Sequence, residues 1–205
     1  MKFDIEIHKE FDENITIDYG IIKGDSTILF IKAGQDGSMY GYDNKYLKIA
    51  KIINKKYGAT VICSSNPFDG NNQLDNAMEV IDDYCKVNNI KRYTIYYMGQ
   101  SNGGLIGAWF GYKYPRIQRM LLINAPLMYN YHKTKAGLNN FSGEKITMIY
   151  GSLDQSIQYT ELLKLIMNKK FSYYIIDNQD HHFSRDVYDF KKLPEDFLFN
   201  LKEEN

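Results

Sequence analysis

The chain has 205 residues and a mass of 24.0 kDa, which is enough for one domain with a sizeable hydrophobic core. Lysine plus arginine number 25, as do aspartate plus glutamate, so the net charge gives no reason to expect binding to nucleic acid or to an anionic membrane. No apolar run approaches the length of a membrane span, and the first residues lack the apolar segment of a secretory signal.

Short apolar runs alternating with helical patterns predict the fold. Residues 3–7 and 15–19 alternate apolar with polar side chains, which predicts antiparallel edge strands joined by a turn at 12–14. Continuous apolar runs predict buried strands at 27–31, 60–63, 93–98, 120–123, 146–150 and 173–176. Helices are predicted from about Asn44 to Gly58, around 77–85, after Ser101, at 159–167 and at 186–203.

This alternation predicts an α/β fold with a mostly parallel, twisted sheet of about eight strands and helices on both faces. Residues 127–143 show no clear periodicity and are predicted to form a loop or a small excursion. We find no linker and no internal repeat, so a single domain over residues 1–205 is expected, with at most a small cap at 127–143.

The two cysteines are predicted to be buried thiols. Cys63 ends a predicted strand and Cys85 lies on the apolar face of a predicted helix. A disulfide or a catalytic thiol is disfavoured at such positions, and the pair fits a reducing, cytoplasmic location.

The sequence Gly99-Gln100-Ser101-Asn102-Gly103 joins a predicted buried strand to a predicted buried helix. A G-x-S-x-G sequence in this context predicts a nucleophile elbow, although an ordinary glycine-rich turn is the alternative. Side chains at the two flanking glycines would crowd the neighbouring strand or helix. The helix that begins at Asn102 would direct its free N–H groups towards the serine, where an oxyanion would form.

Four polar residues lie in the loops just after predicted strands: Gln35, Ser101, Asp154 and His181. In a parallel sheet, function collects in the loops at the carboxyl ends of the strands. A serine hydroxyl needs a base, and the base needs a group that fixes its tautomer. The four histidines are His8, His132, His181 and His182, and only the last two follow the final predicted strand.

The chain resembles the α/β hydrolases from about residue 15 to residue 203. The resemblance rests on the elbow, on an acid after the strand ending at Tyr150, and on a histidine after the last strand. It implies a catalytic triad of Ser101, Asp154 and His181, in the order that this family has along the chain. The sequence Asp180-His181-His182-Phe183 aligns with a family pattern that makes His181 the base.

Several assignments keep an alternative. His182 is the alternative base, and Asp177 and Asp180 are weaker alternatives for the acid. Asp154 could instead cap the helix that begins near Gln155. The resemblance implies an oxyanion hole formed by the backbone N–H groups of Asn102 and Gln35, although Ala33-Gly34 stands where the family has His-Gly.

The resemblance implies hydrolysis of an ester or thioester through an acyl-enzyme on Ser101, with a small acyl molecule as the substrate and no cofactor. A metal site is not expected, because the histidines are few and badly spaced. A peptidase or amidase with the same triad, and a non-catalytic binding protein, are the alternatives. An apolar pocket could be walled by aromatic and methionine side chains from the loops, which could equally pack on the surface: Tyr40, Tyr42, Phe68, Met128, Tyr129 and Tyr131. The sequence does not indicate the oligomeric state.

Overall fold

The computed structural model describes residues 2–12, 15–67 and 73–200. Eight strands form one sheet: β1 (Ile5–Asp12), β2 (Ile15–Ile22), β3 (Thr27–Lys32), β4 (Thr60–Ser64), β5 (Thr94–Gln100), β6 (Ile117–Ile123), β7 (Lys145–Gly151) and β8 (Phe171–Ile176). Their order across the sheet is β1-β2-β4-β3-β5-β6-β7-β8. All six strands from β3 to β8 run parallel, while β2 is antiparallel to both β1 and β4. The predicted fold class, with its antiparallel N-terminal edge, is confirmed.

Alternating side chains divide the core into two layers, one on each face of the sheet. On β3, Ile28 and Phe30 join the layer beneath the helices α2 (Gln73–Val87) and α3 (Asn102–Phe110). Leu29 and Ile31 join the layer beneath α1 (Lys45–Tyr57) and the C-terminal residues up to Leu198. A central strand covered on both faces must be apolar throughout, which is why it appears in the sequence as a continuous run.

The helix α1 ends where the sequence predicts it. Gly58 adopts a left-handed conformation, with φ of 72°, and its N–H donates to the carbonyl of Asn54. Such a residue closes a helix without the steric cost that a β-carbon would bring. The chain then turns directly into β4. The loop before α1 follows β3, and it therefore lies at the carboxyl end of that strand.

A helix, α4 (Tyr131–Asn140), lies within the segment 127–143, which shows no clear periodicity in the sequence. It packs on α3 through small residues: a β-carbon on Gly137 would lie 2.0 Å from the carbonyl oxygen of Ala108. Thr134 accepts a hydrogen bond from the indole of Trp109 at 2.9 Å. A face built from glycine and threonine carries little hydrophobic signal, so the pattern did not reveal this helix.

Two other helical predictions differ from the structure. Residues Gln155–Leu165 form a 3-10 helix, and the predicted helix at 186–203 is reduced to a 3-10 turn at Phe190–Lys192 followed by a short π-helical segment at Glu195–Phe199. The end of that prediction, 201–203, lies outside the described residues, as does the fraying expected at 202–205. Among the residues that the structure describes, no helix combines the length and the apolar character needed to cross a bilayer. Cys63 and Cys85 are buried free thiols, as predicted.

Candidate active site

Ser101 lies at the turn from β5 into α3, in a strained conformation. Its φ is 52° and its ψ is −121°, outside the regions that residues with a β-carbon ordinarily occupy. A β-carbon on Gly99 would lie 2.4 Å from the carbonyl oxygen of Gly103, and one on Gly103 would lie 2.4 Å from that of Ala33. The two glycines therefore allow β5, α3 and the end of β3 to approach closely enough to hold the serine in this turn.

The structure brings Ser101, His181 and Asp154 together, although three different strands supply them. The distance from Ser101 Oγ to His181 Nε2 is 3.0 Å, and His181 Nδ1 forms a short hydrogen bond with Asp154 Oδ2. Asp154 is buried, while 38% of the His181 side chain is exposed. The serine hydroxyl, the imidazole and the carboxylate thus form a connected chain at the carboxyl edge of the sheet.

Asp154 caps a helix and also contacts His181. Its Oδ1 accepts a hydrogen bond from the backbone N–H of Ser156 at 2.6 Å, which makes it the N-cap of the 3-10 helix. Its Oδ2 remains for His181. Because the cap fixes one oxygen, the other is held in a defined direction.

The alternative base and acids lie elsewhere. His182 is exposed, and its ring stands edge-on to that of His181 with the centroids 5.2 Å apart. Asp180 accepts hydrogen bonds from the backbone N–H groups of His182 and Ser184. Burial opposes ionisation of Asp180, but these bonds and the Ser184 hydroxyl outweigh it and lower the pKa of the carboxyl group. Asp177 accepts from the hydroxyl of Ser152 at 3.1 Å.

The two predicted oxyanion donors lie on either side of Ser101. Asn102 is the first residue of α3, and Gln35 follows Gly34, at which a β-carbon would lie 3.4 Å from Ser101 Cβ. Among the described residues, neither backbone N–H has a hydrogen-bond acceptor. Free N–H groups at a helix start and in an adjacent loop are suited to receive a negatively charged oxygen.

Asn66, which follows β4, connects these two donor segments. Its side-chain amide donates to the carbonyl of Ala33 and to Asn102 Oδ1, both at 3.0 Å. Its backbone carbonyl accepts from Asp36 at 2.8 Å, and its N–H donates to Gly37 at 2.9 Å. Nothing in the sequence indicates this role except an asparagine two residues after a buried strand.

A cleft of about 980 Å³ opens beside this site, between the start of α1 and residues 182–191. Tyr42 is among the described residues that line the cleft. Ser101 and His181 are not among them. Lys45 lies in its wall over the ring of Phe190, and its Nζ donates to Gln100 Oε1 at 2.6 Å. Burial lowers the pKa of Lys45 to about 8.

The other residues proposed for an apolar pocket have varied surroundings. Tyr40 packs on Phe3 and donates to Glu6, as a surface-packed aromatic would. The Tyr131 hydroxyl donates to the carbonyl of Leu162 at 2.6 Å. Met128 and Tyr129 are 40% and 71% exposed. Phe68 lies outside the described residues.

Neither a family model nor a curated protein matches this sequence. Solved structures do resemble the fold. Est1E from Butyrivibrio proteoclasticus has a TM-score of 0.69 at 12% identity, covering 89% of this chain and 92% of its own. A serine hydrolase without a lid from Xanthomonas campestris has a TM-score of 0.67 at 12% identity, covering 94% and 93%. The Pyrococcus furiosus esterase Pf2001 has a TM-score of 0.66 at 13% identity, covering 90% and 84%.

The chain has the α/β-hydrolase fold. At these identities the likeness concerns the fold and not the substrate. Within the α/β-hydrolase fold, the Ser101, Asp154 and His181 side chains follow the fifth, seventh and eighth strands of this chain. The resemblance seen in the sequence is therefore confirmed for the architecture, whereas the roles of the residues require a chemical argument.

Proposed function

We propose that the protein is a serine hydrolase that cleaves a carboxylic ester or thioester through an acyl-enzyme on Ser101. The observation that carries this proposal is the hydrogen-bonded chain from Ser101 Oγ through His181 to Asp154. A neutral imidazole that donates from Nδ1 to a carboxylate leaves Nε2 free to accept the serine proton.

In the first half of the reaction, Ser101 Oγ attacks the carbonyl carbon of the substrate while its proton passes to His181 Nε2. Asp154 stabilises the imidazolium that forms. The negatively charged oxygen of the tetrahedral intermediate accepts hydrogen bonds from the N–H groups of Gln35 and Asn102. The intermediate then collapses, and the departing alcohol or thiol takes the proton from His181.

In the second half, water replaces the leaving group. His181 removes a proton from the water molecule while the water oxygen attacks the carbonyl carbon of the acyl-enzyme. Collapse of the second tetrahedral intermediate breaks the bond to Ser101 Oγ, which regains a proton from His181. A carboxylic acid is released and the hydroxyl is restored.

Exposed apolar side chains beside Asp154 support an apolar acyl group. Leu153 is 54% exposed, and the Met128 sulfur lies 4.0 Å from the hydroxyl of Ser156, the residue whose backbone N–H donates to Asp154. Aliphatic side chains on a solvent-facing rim can bind an acyl chain by removing its surface from water. A series of p-nitrophenyl esters of increasing acyl length should therefore show kcat/KM rising with length over the first members.

The test of the proposed function is covalent labelling of Ser101. A fluorophosphonate should add its phosphonyl group to the wild-type protein, seen by mass spectrometry on the peptide that contains Ser101. A Ser101→Ala variant should neither label nor hydrolyse p-nitrophenyl esters above the background rate. A folded wild-type protein that never labels would favour a non-catalytic binding role, and preferential cleavage of aminoacyl amides would favour a peptidase or amidase.

A further inference from the structure

The backbone carbonyl of His181 is held by two side-chain amides from neighbouring strand ends. Asn124 Nδ2 donates to it at 2.9 Å, and Gln100 Nε2 donates to it at 3.3 Å. Asn124 directly follows β6, and Gln100 is the last residue of β5. Both amides are buried, with 0% and 5% of the residue exposed, so water does not compete for their hydrogen bonds.

Asn124 also connects this loop to the strand that leads to Asp154. Its Oδ1 accepts from the backbone N–H of Gly151 at 2.9 Å, and its Nδ2 donates a second bond to the carbonyl of Asp180 at 3.2 Å. Gly151 is the last residue of β7, three residues before Asp154. One side chain therefore joins the segment that carries His181 to the segment that carries its carboxylate partner.

The hydrogen bonds fix which way each amide faces. Rotating the Asn124 amide would place its oxygen against two carbonyls and its NH₂ group against the Gly151 N–H. Gln100 Oε1 already accepts from Lys45 Nζ at 2.6 Å and from the Tyr46 hydroxyl at 2.9 Å, so its Nε2 must face His181.

The strand order explains why the His181 loop needs such support. Ser101 follows β5, whereas His181 follows β8, which is three strands away at the edge of the sheet. With neighbouring strands about 4.8 Å apart, the loop must return roughly 14 Å across the ends of β7 and β6. Asn124 stands at the end of β6, directly below this path.

We propose that Asn124 is a positioning residue that sets His181 against both Ser101 and Asp154. The inference rests on the proposed function. Asn124 touches no reacting atom in this scheme, and it acts by fixing the backbone from which the imidazole projects. An imidazole displaced by about 1 Å loses alignment with the serine hydroxyl, and such displacements can reduce turnover about 100-fold.

The test is an Asn124→Gly variant. Glycine tolerates the φ of 47° at this position, so the change removes the side chain without adding backbone strain. We expect kcat for p-nitrophenyl esters to fall 10- to 100-fold with KM within threefold. The rate of fluorophosphonate labelling should fall in parallel, and the downfield proton resonance of His181 Nδ1–H should broaden or disappear.

Asn168→Gly is the matched control. Asn168 also donates from one side-chain amide to two backbone carbonyls, those of Leu138 at 2.8 Å and Phe141 at 3.0 Å, in a segment that contributes no residue to the proposed triad. We expect this variant to lose stability while kcat and the downfield resonance stay as in the wild type. A similar loss of kcat in the control would assign the effect to general loosening and overturn the proposal.

If Asn124→Gly does not fold, as judged by near-ultraviolet circular dichroism, Asn124→Asp replaces it as the test. The carboxylate keeps an acceptor for the Gly151 N–H but removes the donor to the carbonyls of Asp180 and His181, so a loss of kcat and a perturbed resonance are expected. The proposal is overturned if the folded variant keeps kcat within twofold and an unchanged resonance. A wild type that shows the resonance but neither labels nor turns over would refute the proposed function while leaving the positioning measurable.

Discussion

Two adjacent histidines differ in what their side chains touch. His181 lies between a serine hydroxyl and a buried carboxylate, whereas His182 is exposed and lines the neighbouring cleft. Both residues are candidates in the sequence, but it could not distinguish them on physical grounds, because no regular period sets the direction of a side chain in a loop. The hydrogen bonds that Asp180 accepts tighten the turn at 180–184, and in this turn the imidazole of His181, rather than that of His182, faces the serine.

Replacing each histidine in turn tests this difference. We expect His181→Ala to lower kcat by several orders of magnitude, because the serine loses its proton acceptor. His182→Ala should change kcat much less. Hydrolysis of p-nitrophenyl esters by the two folded variants measures both effects, and the opposite ranking would assign the base to His182.

Lys45 makes stability depend on pH. Burial lowers its pKa from 10.5 to about 8 in the folded protein, so between these values the unfolded chain binds the additional proton. The free energy of unfolding should therefore rise with pH from about 8 to about 10, by about 2 kcal/mol. Below about pH 8 the free energy of unfolding no longer includes this gain, since folding must then bury a charged ammonium group.

The contribution is isolated by comparing the wild type with Lys45→Met in urea titrations at pH 7 to 10. The difference between the two free energies of unfolding should change by about 2 kcal/mol across this range. Lys48→Met is the matched control for the loss of one positive charge from the same helix. A constant difference between wild type and Lys45→Met would show that the ammonium is well solvated in the folded state.

The secondary-structure elements were predictable where a single period governs burial. The buried strands and α1 follow their apolar patterns closely. In the 3-10 helix at Gln155–Leu165, however, the partly or fully buried residues form two adjacent rows with a spacing of three: Ser156, Tyr159 and Leu162, and Ile157, Thr160 and Leu163. A threefold repeat differs too little from the α-helical period to be recognised over eleven residues.

The prediction of a helix at 186–203 was wrong for a different reason. The side chain of the buried residue Gln179 donates to the carbonyl of Arg185 at 3.0 Å and accepts from its N–H at 3.1 Å. The Arg185 carbonyl is one that a helix starting at 186 would need as an acceptor in its first turn. A tertiary contact therefore overrides the local preference, and no pattern within 186–203 contains that information.

The contact of α4 with α3 yields a prediction about stability. Gly137→Ala places a methyl group against the Ala108 carbonyl, and we expect it to lower the free energy of unfolding by about 1–3 kcal/mol despite the better helix propensity of alanine. Urea denaturation measures the change. His132→Ala, on the exposed face of α4, should stay within about 0.5 kcal/mol, and a stabilised Gly137→Ala would mean that the two helices separate readily.

At the scale of the whole molecule, the sheet explains how much of the site was visible in the sequence. The positions of Ser101, Asp154 and His181 after strands could be predicted because parallel strands end at one edge. The hydrogen bonds that the amides of Asn66, Gln100 and Asn124 donate to backbone carbonyls could not be predicted, since these acceptors are backbone groups from distant parts of the chain. Such groups carry no residue identity and leave no pattern in the sequence.

The order of the site residues along the chain also has a consequence for biosynthesis. Ser101 leaves the ribosome 80 residues before His181. At about 5–20 residues per second, this interval is roughly 4–16 seconds. During that time the growing polypeptide holds the serine but not the histidine, so its hydroxyl is no more nucleophilic than that of any other serine. Reactivity towards acyl groups should begin only once translation has passed the final strand.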